Sequence, residues 1–387
     1  MSPVRHQVKA ATATISPYNF AMEKIIPPSY AGSHATRAGS ARRQVAGWLL
    51  ACCALVFAMV VVGGVTRLTR SGLSIVEWEP LIGAIPPLNQ SDWEQLFQEY
   101  RRTPEYLKVN VGMSLDEFKG IFWWEYIHRL LGRLIGLAFL VPLLWFALRR
   151  KIGASLAPRL IGIFLLGGLQ GFVGWWMVTS GLVDDPHVSH VRLSIHLGLA
   201  FLIFAAMFWT ALDLLSTEVR ERLDRSLAPV AGFATAVCVL IFVMVLSGGL
   251  VAGTRAGYAY NTFPLMNGSV IPPEYFMLTP WWDNFLHNMA TVQFNHRLIA
   301  WALFFLVPVL WWRAQRAGVR GGLRLPLDLM CVMLLVQLGL GIATLLLHVP
   351  VALGTAHQAG ALVLFALALW SAHALRRRAA MGSMRRI

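Results

Sequence analysis

Residues 45–65 read VAGWLLACCALVFAMVVVGGV, a run with no charged or amide side chain. At a helical rise of about 1.5 Å per residue it is long enough to cross a hydrocarbon core of about 30 Å. Seven more predominantly apolar runs of comparable length follow, at 127–148, 159–180, 193–214, 230–252, 297–314, 327–348 and 355–375. The fold class this implies is an all-α integral membrane protein with eight transmembrane helices. Composition agrees: of 387 residues, 57% are apolar and 13% charged, about half the charged fraction of a soluble domain. A soluble enzyme, a disordered chain, collagen and a disulfide scaffold are excluded. Cys52, Cys53, Cys238 and Cys331 all lie inside apolar runs and read as small buried side chains rather than bridges or zinc ligands.

Charge sets the direction of the spans. The N-terminal tail (1–44), the connections after the second, fourth (215–229) and sixth runs, and the basic tail (376–387) hold most of the 33 Lys and Arg and few of the 19 acids. The positive-inside rule then places both termini in the cytoplasm if this is a bacterial inner membrane, or in the matrix if it is a mitochondrial one. The net charge of +14 is a topology signal, and no nucleic-acid partner is expected; membrane lipid is. No apolar core precedes the first run, which argues against a cleaved secretory signal. The Ala-, Ser- and Arg-rich residues 1–44 fit a bacterial tail or an organellar presequence.

The long outer connection, 66–125, should carry structure. Ser91-x-x-Glu94 and Ser114-x-x-Glu117 are capping-box patterns, predicting a short amphipathic helix from 92 and a second from 115 that runs into the second span. Pro86-Pro87 with Trp78, Trp93, Trp123 and Trp124 suits a loop lying along the membrane interface.

The two halves of the chain repeat one another. Gly63-Gly64 ends the first span and Gly248-Gly249 the fifth; His128-Arg129-Leu130 opens the second and His296-Arg297-Leu298 the sixth. Gln170 and Gln337 sit in the third and seventh. His196-x3-Ala200-x3-Phe204 in the fourth matches His357-x3-Ala361-x3-Phe365 in the eighth. Four spans return the chain to its starting side, so the halves read as parallel-repeat four-helix bundles, 45–214 and 230–375, related by an axis along the membrane normal.

His128, His196, His296 and His357 thus share one depth. Polar groups in a span are costly, and two pairs repeated by internal symmetry point to ligation. Zinc or iron in a carboxylate site would want acids among its ligands, whereas one imidazole from each of two facing helices suits a haem. Gly132, Gly171, Gly174, Gly339, Gly341 and Ala361 leave room for a flat macrocycle, and the cysteines lie at the opposite depth. Arg129 and Arg297 follow their histidines and could meet haem propionates by charge-assisted hydrogen bonds; snorkelling to the interface is the other reading. His187, His190, His287 and His348 lack symmetric mates and read as loop or packing residues. One pair breaks the symmetry: Glu125 precedes His128 by three residues, and its counterpart before His296 is Gln293. An acid beside one site and an amide beside the other suggests proton-coupled chemistry at the first alone, unless Glu125 is a solvated residue or an orienting partner of His128.

The strings GGVTRLTRSGLSIVEWEP (63–80), IFWWEYIHRLLGR (121–133), LQGFVGWWMVTSGL (169–182), RLSIHLGLA (192–200), AGYAYNTFPLMNG (256–268), VQFNHRLIA (292–300) and ALGTAHQAGA (352–361) closely resemble the haem A synthase family, over about residues 45–375. The likeness is to the proteobacterial and mitochondrial form, without the outer-loop cysteine pairs of Gram-positive members. It implies oxidation of the C8 methyl of haem O to the formyl of haem A for terminal oxidases. It further implies that His128 and His196 flank the substrate haem, that His296 and His357 ligate a haem b, and that Glu125 is the catalytic acid. Methyl to aldehyde is a four-electron oxidation, and two axial histidines would close both positions on the substrate iron. Either His128 or His196 leaves during turnover, or the methyl is oxidised without an iron-oxo species. The partners implied are haem O synthase as supplier, an electron donor such as a ferredoxin-like protein, the oxidase assembly machinery and a homo-oligomeric copy. Two other classes stand beside this reading: a bis-His dihaem membrane cytochrome acting only in electron transfer, and a haem carrier without turnover.

Overall fold

The computed structural model describes residues 28–77, 83, 85–183, 185–216 and 225–380. Readings that fall on residues 1–27, Trp78, 217–224 and 381–387 lie outside them. Residues 1–40 and 41–387 are separate compact units; in the first, the described residues 28–40 are helical, and the site lies wholly in the second.

The helices in chain order are α1 (Pro28–Leu68), α2 (Gln90–Tyr100), α3 (Pro104–Lys108), α4 (Leu115–Leu148), α5 (Ala157–Thr179), α6 (His190–Leu215), α7 (Ala228–Thr254), α8 (Ala256–Ala259), α9 (Met289–Arg316), α10 (Leu325–Leu346) and α11 (Val351–Ala380). Eight of the described helices, α1, α4, α5, α6, α7, α9, α10 and α11, are long and apolar enough to span a membrane. Pro158, Pro229 and Pro326 stand in the first turns of α5, α7 and α10, where a missing N–H costs nothing.

The spans sort into two layers. Helices α1, α6, α7 and α11, the first and fourth of each half, supply much of a continuous core that includes Leu49, Phe201, Met207, Ile241 and Leu362. Helix α7 packs on α6, α9 and α11. Helices α4, α5 and α10 bury little and present Leu134, Leu137, Leu165, Phe172 and Leu335 outward. Apolar surface of that extent faces lipid, and this is a multi-pass membrane protein.

Helices α2 and α3 cap one end of the bundle. Their aromatic cluster, Tyr100, Phe118, Phe122 and Tyr126 with Trp93 and Phe97, sits on the first turns of α4. Trp93 stacks edge-on to Phe122 at 4.9 Å and is a packing residue, while Trp123 and Trp124 are exposed, as an interfacial anchor should be. The capping box at Ser114 forms: its N–H donates to Glu117 Oε2 at 2.8 Å, and its Oγ accepts from Glu117 N at 3.3 Å. The one expected at Ser91 does not. Asn89 caps α2 instead, accepting from Asp92 N at 2.9 Å, while Ser91 donates to the Asn89 side chain. The amide of Asn89 reaches the free N–H groups first, so the helix begins at Gln90.

Candidate functional site

The four histidines lie on α4, α6, α9 and α11, the even-numbered spans, within the half of the bundle nearer the capped end. Each leans on a glycine of the preceding span. A Cβ added at Gly63 would stand 3.0 Å from His128 Cε1; at Gly174, 2.9 Å from that of His196; at Gly248, 3.3 Å from that of His296; at Gly341, 2.8 Å from that of His357. The contact is made through the Cε1 edge of each ring; His196 Nε2 also meets Gln170 Nε2 of the same supporting helix at 3.3 Å. Within each sequence-matched pair the second ring is near enough for its charge to bear on the first, His196 on His128 and His357 on His296.

The second glycine of each Gly-Gly pair faces across the halves. Gly64 meets Gln358 of α11, whose Nε2 donates to Val60 O at 2.7 Å; Gly249 meets Ser194 of α6, whose Oγ donates to Leu246 O at 2.7 Å. The repeated Gly-Gly therefore does two jobs: one residue supports a histidine of its own half, and the next admits a helix of the other. Gln170 and Gln337 are also matched in use, donating to the carbonyls of His196 at 3.1 Å and His357 at 2.8 Å. The Nδ1 atoms of His128, His196 and His357 are buried without a partner, and His296 Nδ1 meets Ser247 Oγ at 2.8 Å. The rings keep part of their surface accessible although they lie inside spans. Imidazoles that are glycine-supported and paired between helices, with no carboxylate joining them in a ligand cluster, fit a haem better than a hard cation. Among the described residues no group of three or more His, Cys, Asp or Glu could hold a metal ion.

Glu125 is not a solvated interfacial acid. It is buried, and its Oε2 accepts from Ser74 N and Oγ, both at 2.7 Å, and from Ile75 N at 2.9 Å. Its Oε1 accepts from Arg129 Nε at 3.0 Å and Nη2 at 2.7 Å. Every partner donates, so in this conformation the carboxylate is purely an acceptor. Arg129 also holds the carbonyls of Ile75 and Glu77. The second half repeats this with an amide: Gln293 Nε2 donates to Tyr260 O at 2.9 Å, and Arg297 donates to the carbonyls of Tyr260, Pro264 and Leu265. Arg129 and Arg297, expected as propionate contacts, are thus engaged in fastening the segments that follow α1 and α7. Snorkelling does not describe them.

Sequence reasoning missed Glu105. It is buried in α3, and the Tyr100 hydroxyl donates to it at 3.3 Å. Burial, aided by the charge of Glu125, pushes its carboxyl up to about 7. It also missed that His190 and His287, from opposite halves, pack ring to ring at 5.0 Å. Neither contact has a signal in local spacing.

Residues 46–369 match the model of the cytochrome oxidase assembly protein family. The chain belongs to that family. Similar relatives include proteins named heme A synthase from Nitrosospira multiformis, 61% identical over 337 residues that cover 87% of this chain and 95% of that one. One from Nitrosomonas eutropha is 59% identical, covering 84% and 92%, and one from Paramagnetospirillum magneticum 51% identical, covering 88% and 96%. The cytochrome oxidase assembly match takes in six spans whole and most of the first and eighth, with both histidine pairs and Glu125.

Proposed function

We propose that this protein is a haem A synthase, converting the C8 methyl of haem O into the formyl of haem A for terminal oxidases. The observation that carries the reading is the pair of glycine-supported bis-histidine sites that differ at one position, Glu125 against Gln293, in a chain whose relatives bear that name. His128 and His196 hold the substrate haem, and His296 and His357 hold haem b. Haem b, when bound, supplies one-electron transfer between the donor and the substrate site. Glu125 is the carboxylate beside the substrate pair. Five protein donors fix it as an acceptor, so it serves there as a base or as the fixed charge that orients Arg129.

The positive-inside pattern supports termini on the cytoplasmic side of a bacterial inner membrane, which places both haem sites towards the outer face. Haem O synthase would deliver the substrate, a small redox protein the electron link, and the oxidase assembly machinery would receive the product. The test is expression in cells that make haem O but no haem A, followed by chromatography of extracted haems. Haem A in the extract supports the reading; haem O unchanged beside a fully formed low-spin spectrum would make the protein a dihaem electron carrier.

A further inference from the structure

Three arginines gather where the two halves meet at the capped end. Arg67 lies one turn beyond Gly63 on α1 and reaches across to α7, donating from Nη2 to Ala252 O at 3.2 Å; its Nε is buried with no partner. Arg255 caps α7, and Arg70 follows α1. Each stands seven residues after the first glycine of its Gly-Gly pair, and each has a left-handed backbone, with φ of 59° and 55°. These two residues are repeat mates in conformation. A non-glycine residue held there costs about 1–2 kcal/mol, so arginine is kept at both places against a backbone preference for glycine.

The Arg67 guanidinium and the Arg255 backbone N–H donate to the same Ala252 carbonyl, and the nearby charge of Arg70 disfavours the Arg255 cation after burial has already done so. Glu105 and Asp185 pull on Arg255 from a distance. No carboxylate among the described residues forms an ion pair with any of the three, although Arg129, Arg159 and Arg324 all have one. The carbonyls at the end of α7 account for one cation, Arg67 on Ala252, not for three. A cationic cluster on the side that the charge pattern reads as outer also runs against the topological preference for arginine. Such a cluster calls for an anion.

We propose that Arg67, Arg70 and Arg255 form an anion site on the seam between the halves, and that it binds the propionate carboxylates of the haem held between His128 and His196. The inference rests on the haem reading above and assigns that haem's orientation. Arg67 shares a face of α1 with Gly63, the residue supporting His128, and lies one turn nearer the capped end. A macrocycle standing beside His128 with its acidic edge toward that end brings its carboxylates to Arg67. Arg129, neutralised by Glu125 and spent on loop carbonyls, is not the partner. Charge-assisted and bidentate contacts of this kind fix register as well as affinity, and so would set which ring edge faces Glu125.

The test uses the full-length protein purified in detergent, titrated with iron protoporphyrin IX and with its dimethyl ester, the His196→Ala protein giving the background. Absorption changes report binding without turnover. Wild type is expected to bind the ester at least about tenfold more weakly than the diacid, equivalent to about 1.4 kcal/mol. R67Q/R255Q should bind the two alike, and R67K/R255K should recover part of the preference. Equal binding of acid and ester by wild type would overturn the proposal whether or not the variants fold. So would full preference in R67Q/R255Q, and loss of co-purifying phosphatidylglycerol with that preference intact would assign the arginines to a lipid headgroup. Retention of the resident low-spin spectrum shows that a variant is folded. Failure of wild type to bind either form would instead remove the haem reading, and this inference with it.

Discussion

The Cε1 edge of His128 rests on Gly63, so closely that a methyl carbon on that glycine would stand 3.0 Å away. The same contact recurs three times, at Gly174 with His196, Gly248 with His296 and Gly341 with His357. The glycine lets the ring edge approach the supporting helix to a distance that any side chain would block.

Gly341→Ala is therefore expected to weaken the low-spin haem spectrum, since its Cβ would meet His357 Cε1 at 2.8 Å; overpacking of this kind costs about 1–3 kcal/mol. Gly168→Ala, with nothing within 4 Å, is the control, and should be neutral or slightly stabilising as a helical Gly-to-Ala change. Difference spectra of reduced and oxidised protein decide between them, and equal spectra would mean that the glycine contact is not needed.

Glu125→Gln removes the carboxylate that neutralises Arg129 and turns an amide N–H toward groups that can only donate. Breaking a buried pair from one side costs about 3–5 kcal/mol. The expected result is loss of haem A output by at least about tenfold, or about 1.4 kcal/mol in barrier, with haem b retained and haem O accumulating. Gln293→Glu in the same background should not restore it, because the carboxylate would then face Tyr260 O in the other half. Wild-type haem A output from Glu125→Gln, read by chromatography of extracted haems, would remove the carboxylate from the reaction.

Glu105 makes the capping segment sensitive to pH. Its carboxyl, raised by burial to about 7, stays protonated in the folded chain while the unfolded one ionises near 4.5. Between those values the folded state binds more protons, so stability is full below about pH 4.5 and falls as pH rises through 7. Hydrogen exchange over residues 90–110 should quicken from pH 5.5 to 8 beyond the intrinsic rate, and Glu105→Gln should abolish the excess. An excess unchanged in that variant would assign the effect to another group.

Much of this was legible in the sequence because it is periodic. The eight apolar runs are helices, the matched histidines lean on matched glycines, and Glu125 and Gln293 fasten corresponding segments through opposite hydrogen-bond roles. The Gly-Gly pairs were visible as a repeat, but their purpose was not, since it depends on how α1 approaches α4 and α11. The partners of Glu125, Ser74 and Ile75, stand about fifty residues away across a loop with no periodicity. The cap of α2 went to Asn89 because two polar residues competed for one set of N–H groups, and sequence alone does not rank them. The meeting of His190 with His287 joins opposite halves, which the internal symmetry does not relate.

In the proposed function the two histidine pairs hold different haems, one consumed and one retained. The most direct measurement is the haem composition and low-spin spectrum of four purified variants, His128→Ala, His196→Ala, His296→Ala and His357→Ala, made in cells that supply haem O. The first two are expected to keep the haem b spectrum and yield no haem A, whereas the last two should lose or weaken that spectrum. Full retention of the spectrum in His296→Ala and His357→Ala, or haem A at wild-type levels from His128→Ala and His196→Ala, would contradict it.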